Sequence, residues 1–309
     1  MSTNPVVIAL DVGGTGMKCA LVRTDGTVHH SERHPTLAER GPDAVIENIL
    51  EIAAGLAAKA AVDELTPVAV GVAVPGVIDE VNGIAVWSSN IGFRDVPLRQ
   101  LIEQRLGLPA ALGHDVRVGG IAEARLGTGR GERHVLFVAI GTGIAAAFVL
   151  DGIGYSGAHG AAGEVGHIVV RPGGPPCPCG QRGCLEAVTS AKSIGRTYAE
   201  RSGIAGATAL DVVTRAAQGE ELAGAVWDEA LEALADGLVT VQALYDVSVL
   251  VLGGGLAEAG DQLLGPLREK FAERITFHRM PRIVRAGLGD EAGCIGAALL
   301  ALDHLEQSA

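Results

Sequence analysis

The chain has 309 residues, 48% of them hydrophobic but only 3% aromatic, so Ala, Val, Leu and Ile must build its core. That length exceeds one ordinary hydrophobic core and predicts two domains. A formal net charge of −12 argues against a nucleic-acid backbone as the main partner, which needs a basic face, while phosphate ligands stay open because backbone N–H groups bind them without any basic residue.

Residues 6–10 are β-branched and apolar and predict a buried strand that ends at Asp11. Gly13-Gly14-Thr15-Gly16 turns the chain into a second strand over 19–23, and Asp25-Gly26 signals a hairpin into a third over 27–33. Pro42 opens a helix to about residue 61, with Val45, Ile49, Ile52 and Leu56 on one face. A strand over 68–74 is stopped by Pro75-Gly76. A helix over 97–106, a strand over 110–113 and a helix over 116–126 follow. A strand over 135–140 runs into Gly141-Thr142-Gly143 and a strand over 145–150. Residues 152–183 are glycine-rich and irregular. The longest helix is expected at 221–245, then a strand over 247–252 that ends in Gly253-Gly254-Gly255, a helix, a strand near 283–286 and a final helix from 292.

The segment from Gly14 to Val22 repeats in type as Gly141 to Val149, each a strand, a Gly-Thr-Gly turn and a strand, followed by Asp-Gly. A weaker echo pairs 68–76 with 247–255. Two similar α/β halves, each opening with a hairpin, are the expected architecture. No leader-like N-terminal pattern and no apolar run fit to cross a bilayer is visible, and five cysteines do not read as a disulfide framework, so a cytoplasmic protein is expected.

Three glycine loops follow buried strands: Gly13 to Gly16, Gly141 to Gly143 and Gly253 to Gly255. Glycine lets successive backbone N–H groups converge on an anion. None of the three is a P-loop or a dinucleotide fingerprint. Asp11 stands ahead of the first, where a carboxylate could hold Mg²⁺ directly or through water; Val138 takes that place in the second half.

His167, Cys177, Cys179 and Cys184 supply one nitrogen and three sulfur donors, a closed tetrahedral set for a structural Zn²⁺ with no position left for a catalytic water. A disulfide among the three thiols is the plainer alternative, and the C-x-C spacing is unlike a thioredoxin-type redox motif. Cys19 and Cys294, in apolar contexts, are expected in the core. Asp115 sits between a strand and a helix, where it could be a helix cap, a general base, or both.

These residues carry a resemblance. Asp11-x-Gly13-Gly14-Thr15, Gly141-Thr142-Gly143 and Leu252-Gly253-Gly254-Gly255 resemble the phosphate and adenosine segments of the sugar kinase–actin superfamily. Glu164-Val-Gly-His167 with Cys177-x-Cys179-Gly-x-x-Gly-Cys184-x-Glu186 resembles the ROK family of repressors and kinases, over essentially the whole chain. The resemblance implies an actin-like, ribonuclease H-like α/β fold with two similar domains and a cleft between them. The division expected is 1–116 plus 294–309, with the last helix crossing back, and 117–293, with the zinc insert. It implies an ATP-dependent hexose kinase, a glucokinase above all. Asn90, His114, Asp115, Glu164, His167 and Glu186 would hold the sugar, with Asp115 accepting the proton of its 6-hydroxyl. Mg-ATP would lie on Asp11, Thr15 and the three glycine loops. A soluble homo-oligomer, dimer or tetramer, is expected.

The alternatives are a kinase for N-acetylglucosamine, N-acetylmannosamine, fructose or mannose, polyphosphate as donor, or a non-catalytic sugar sensor. A repressor is disfavoured because the first strand begins near Pro5, leaving no room for a DNA-binding domain ahead of it. The chain departs from the family pattern at His114 and Arg117, where the family usually has Asn.

Overall fold

The computed structural model describes residues 4–308. Strands β1 (Pro5–Val12), β2 (Gly16–Arg23) and β3 (Val28–Pro35) precede helix α1 (Pro42–Val62) and β4 (Thr66–Val74). Short strands β5 (Val77–Asp79), β6 (Ile84–Ser88) and β7 (Phe93–Val96) lead to α2 (Leu98–Leu106), β8 (Ala110–His114) and α3 (Asp115–Arg125). Then come β9 (His134–Ile140), β10 (Ile144–Leu150), β11 (Ile153–Gly154), α4 (Leu185–Thr189), α5 (Ala191–Ser202), α6 (Ala209–Ala217) and α7 (Glu221–Tyr245). The chain ends with β12 (Val249–Gly253), α8 (Asp261–Arg274), β13 (Arg282–Arg285) and α9 (Ala292–Ser308).

The chain separates into two compact units. The first takes the residues up to Leu126, Ile153–Ala162 and those from Asp290 onward; the second takes Gly127–Gly152 and Gly163–Gly289. In the first, five strands run in the order β3-β2-β1-β4-β8, with β1 antiparallel to β2 and parallel to β4, and β4 parallel to β8. Alternation along β1 decides what covers each face. Val6, Ile8, Leu10 and Val12 join a core with Ile49, Leu56 and Ile102 of α1 and α2. Val7 and Ala9 join Ala20, Ala69, Ala73 and Ala111 in a small-residue layer under Ala297, Ala298 and Ala301 of α9. The small side chains bring α9 unusually close: a Cβ on Gly71 of β4 would lie 1.9 Å from the Ala297 carbonyl oxygen. Cys19 and Cys294 are both buried in these layers, as their apolar surroundings in the sequence predict.

In the second unit the strands run β10-β9-β12-β13, with β9 antiparallel to β10, parallel to β12, and β12 parallel to β13. Each unit therefore places a hairpin beside two parallel strands, the repeat that the two Gly-Thr-Gly segments predicted. The second core packs Leu136, Val138 and Ile140 of β9 against Tyr198, Trp227, Leu234 and Phe271 of the helices.

The hairpins differ by one residue. The last pair of the first is Val12–Met17 and of the second Ile140–Ile144. Counted back from those pairs, the position matching Asp11 is Ala139, one residue after the Val138 that aligning the glycines selects. The three-stranded meander β5-β6-β7 was not anticipated: its strands span three, five and four residues, too short for a periodic signal.

Candidate active site

The first unit gathers Asp11, the Gly13–Gly16 turn, Asn90, His114 and Asp115. Asp11 lies near the end of β1 on the α9 face, where a Cβ on Gly293 would come within 2.2 Å of its Oδ2. Only glycine leaves this carboxylate its place. Burial first, then the charge of Asp115, pushes Asp11 up to about 6 despite Lys18 opposite it. The following turn is closed by a Gly13 N–H bond to the Gly16 carbonyl at 2.9 Å. Thr36, fully buried, braces it: its hydroxyl donates to the Gly13 carbonyl at 2.6 Å and its N–H to the Thr15 carbonyl at 3.1 Å. Nothing in the sequence marks Thr36 as part of the loop, because a lone Thr after a strand carries no motif. Asn90, in the turn between β6 and β7, is exposed and lies against the same loop, its Cβ 3.1 Å from where a Gly14 Cβ would stand.

β8 delivers His114 and α3 begins at Asp115. Asp115 Oδ1 accepts the Val116 N–H at 2.7 Å and lies 3.4 Å from His114 Nδ1. Burial raises the Asp115 carboxyl above its ordinary range, against the partly opposing pull of the Val116 N–H and the Arg117 guanidinium. The N-cap position of α3 is His114, without a side-chain cap bond, so Asp115 is the first helical residue and not the cap; its carboxylate at the helix start bonds only the next N–H. His114 is 8% exposed, so its ring is part of a packed wall.

The second unit carries the other half of the predicted set. Residues Val165–His167 form a short 3-10 turn. The ligand atoms of His167, Cys177, Cys179 and Cys184 all lie within 4.8 Å of one another. His167 Nδ1 is 3.6 Å from Cys177 Sγ, and Cys179 Sγ is 3.6 Å from Cys184 Sγ. A zinc tetrahedron with Zn–S of about 2.3 Å has ligand edges of roughly 3.5–3.8 Å, so donor identity and spacing both fit. The cysteines are unpaired thiols, which removes the disulfide alternative. Burial pushes the Cys184 thiol up to about 12 and raises Cys177, while the Gln181 N–H draws Cys179 down. Without a cation, two of these buried sulfurs are held neutral; zinc ligation takes the thiolate.

With Nδ1 turned to the cysteines, His167 Nε2 points the other way, 3.8 Å from Glu164 Oε2. Glu186, in the first turn of α4, turns toward the second glycine loop: its Oε2 accepts the Ile144 N–H at 2.8 Å. The Gly141 carbonyl in turn accepts the Ala191 N–H at 2.9 Å. Gly254, with φ 78°, packs on the same loop, where a Cβ would lie 2.5 Å from the Ile140 carbonyl oxygen. The second and third glycine loops are thus neighbours, joined through Ile140. Two loops and the metal cluster of the second unit are built as one piece.

Two α/β units of matching strand order, each opening with a glycine-turned hairpin, define the actin-like sugar-kinase class of fold. The ROK family profile matches residues 7–304. The chain is 34% identical to a glucokinase of Thermotoga maritima, over 97% of this chain and 98% of that one. It is 30% identical to an N-acetylmannosamine kinase of Shigella flexneri, over 96% and 98%. A ROK family glucokinase from Streptomyces griseus, solved in complex with glucose and AMPPNP, superposes with a TM-score of 0.82 at 27% identity, covering 96% of this chain and 99% of that one. The chain belongs to the ROK family.

Proposed function

We propose that the protein is a sugar kinase that transfers the γ-phosphoryl group of ATP to the 6-hydroxyl of glucose. The observation that carries this is the pair Asp11 and Asp115: two half-buried carboxylates of one unit, Asp11 just ahead of the first glycine turn and Asp115 directly after β8. Phosphoryl transfer needs charge neutralised at the phosphate and a proton accepted from the hydroxyl. Asp11 would hold Mg²⁺, directly or through water, and bound Mg²⁺ supplies the neutralising charge. Asp115 takes the hydroxyl proton, with its elevated affinity for protons suited to that role. Thr15 and the glycine loops offer backbone N–H groups to the phosphates.

Asn90, His114, Glu164, His167 and Glu186 bind the sugar hydroxyls, carboxylates accepting and amide or imidazole N–H groups donating. His167, held at Nδ1 in the four-donor site, would have its ring and so the direction of Nε2 fixed by a bound zinc. Glucose is supported by the Thermotoga maritima and Streptomyces griseus enzymes. His114, in place of the family's Asn, and the likeness to an N-acetylmannosamine kinase favour a second reading in which the sugar carries an acylamino group. A coupled ADP assay over glucose, mannose, fructose, N-acetylglucosamine and N-acetylmannosamine separates the two. Turnover highest on glucose supports the first reading, turnover highest on an acylated sugar supports the second, and no turnover of any sugar by zinc-replete protein sinks both.

A further inference from the structure

Arg117 is a buried cation, 3% exposed, in the first turn of α3 two residues beyond Asp115. Its Nη1 donates to Glu80 Oε1 at 2.5 Å and its Nη2 to the Gly160 carbonyl oxygen at 2.9 Å. The same Glu80 oxygen accepts the His114 backbone N–H at 3.3 Å. Three separate pieces of chain are joined through Glu80 and this guanidinium. Glu80 follows β5 of the meander, His114 ends β8, and Gly160 lies in Ile153–Ala162, an excursion counted with the first unit although the chain on either side of it belongs to the second. The excursion fits closely: Gly160, at φ 75°, would put a Cβ 2.5 Å from the Ile78 carbonyl oxygen, and Gly154 would put one 2.8 Å from Arg117 Cγ.

A planar fork is what this geometry requires. Arg presents donors on two nitrogens at a fixed separation, whereas the family's Asn has one donor nitrogen on a much shorter stem and Lys has a single point charge. We propose that Arg117 is a positioning residue for the proposed kinase reaction: by gripping Glu80 and Gly160 together it locks the excursion 153–162 onto the His114–Asp115 corner and holds that corner in the geometry the sugar hydroxyl must meet. The inference rests on the kinase reading for its catalytic half; its structural half stands apart.

The test uses the full zinc-loaded chain with Arg117→Met, Arg117→Lys and the double variant Arg117→Met/Glu80→Gln. Arg117→Met raises the sugar KM and lowers kcat, together by at least about tenfold in kcat/KM, while the KM for ATP stays within about twofold, a split that general destabilisation does not give. Amide hydrogens of 153–162 exchange at least about tenfold faster, with those of β9 and β12 unchanged. Arg117→Lys recovers part of kcat/KM through the Glu80 arm. The double variant is no worse than Arg117→Met, because the two residues act as a unit. Unchanged exchange at 153–162 overturns the proposal, as does a parallel fall of sugar and ATP parameters with thermal stability. If wild type phosphorylates no sugar, the kinase reading is what fails, and exchange alone then decides whether Arg117 anchors the excursion.

Discussion

Glu186 and Ile144, 42 residues apart, are joined by a 2.8 Å hydrogen bond from the Ile144 N–H to Glu186 Oε2. The bond ties α4, which leaves the His167–cysteine cluster at Cys184, to the residue that closes the Gly141–Gly143 turn. A glutamate proposed for the sugar is thereby also a brace of a proposed phosphate loop. The proposed sugar and phosphate sites of the second unit would then share one carboxylate.

Gly143→Ala tests that shared role. A Cβ there would lie 2.6 Å from Glu186 Oε2, but the obstacle is the end of a side chain, so the fold adapts and the carboxylate moves. Stability is expected to fall by no more than about 1 kcal/mol. Misplacing a positioned group by a fraction of an ångström is costly in turnover, and kcat/KM should fall by roughly tenfold or more for both sugar and ATP. Steady-state kinetics with each substrate varied check it; a loss confined to one substrate would separate the two roles of Glu186.

Asp115 makes a pH prediction. Its raised proton affinity comes chiefly from burial, and in the proposed role of base it acts only when ionised. Activity is lost as pH falls through its pKa, so the acid limb of kcat/KM lies above the ordinary aspartate value of about 4. Asp115→Ala should lower kcat by roughly 10²- to 10⁴-fold and remove that limb. A variant with near-full turnover would exclude Asp115 as base.

Asp11 links function to stability with the opposite sign from an ion-paired carboxylate. Its folded pKa of about 6 lies above the ordinary aspartate value of 3.8. The native state therefore binds more protons than the unfolded chain between those values, and stability falls as pH rises through that window. The ceiling on the effect is about 3 kcal/mol. Without magnesium and nucleotide, Asp11→Asn should melt higher than wild type at pH 7 and close to it at pH 3.5, with kinase turnover lost. Equal melting temperatures at pH 7 would show that Asp11 is not held at such a cost.

How far the sequence carried can be traced residue by residue. Strands and helices with a periodic apolar face were legible to within a few residues; the helix Glu221–Tyr245 matches its predicted span. The Gly-Thr-Gly echo exposed the repeated topology, because a hairpin beside parallel strands leaves the same local pattern twice. The four metal donors were legible because three of them fall within eight residues. What escaped is tertiary pairing. Thr36 bracing Gly13, Glu186 turned to Ile144, and Arg117 between Glu80 and Gly160 join residues with no fixed spacing. The Asp11 counterpart shifted from Val138 to Ala139 because a turn can gain a residue without changing its composition.

Zinc at the four-donor cluster is expected to matter more to sugar binding than to global stability. Its four ligands lie in an irregular segment whose small buried cluster is Cys177, Cys184 and Ala187, while the core of the same unit is a separate and much larger set that includes Tyr198, Trp227 and Phe271. Structural zinc is worth roughly 10–16 kcal/mol where a peptide has no other core; here the helices keep theirs when the metal leaves. Chelation or Cys184→Ser should therefore lower the melting temperature only modestly. His167 would lose the bond that fixes its ring, and α4, which carries Glu186, would lose the fixed start at Cys184 while the Ile144 bond remains. The sugar KM should rise by roughly tenfold or more, the effect expected when a partner that orients a ligand is removed. Elemental analysis should find one zinc per chain before chelation and none after. A zinc-free protein with an unchanged sugar KM would show that the metal holds only its own loop.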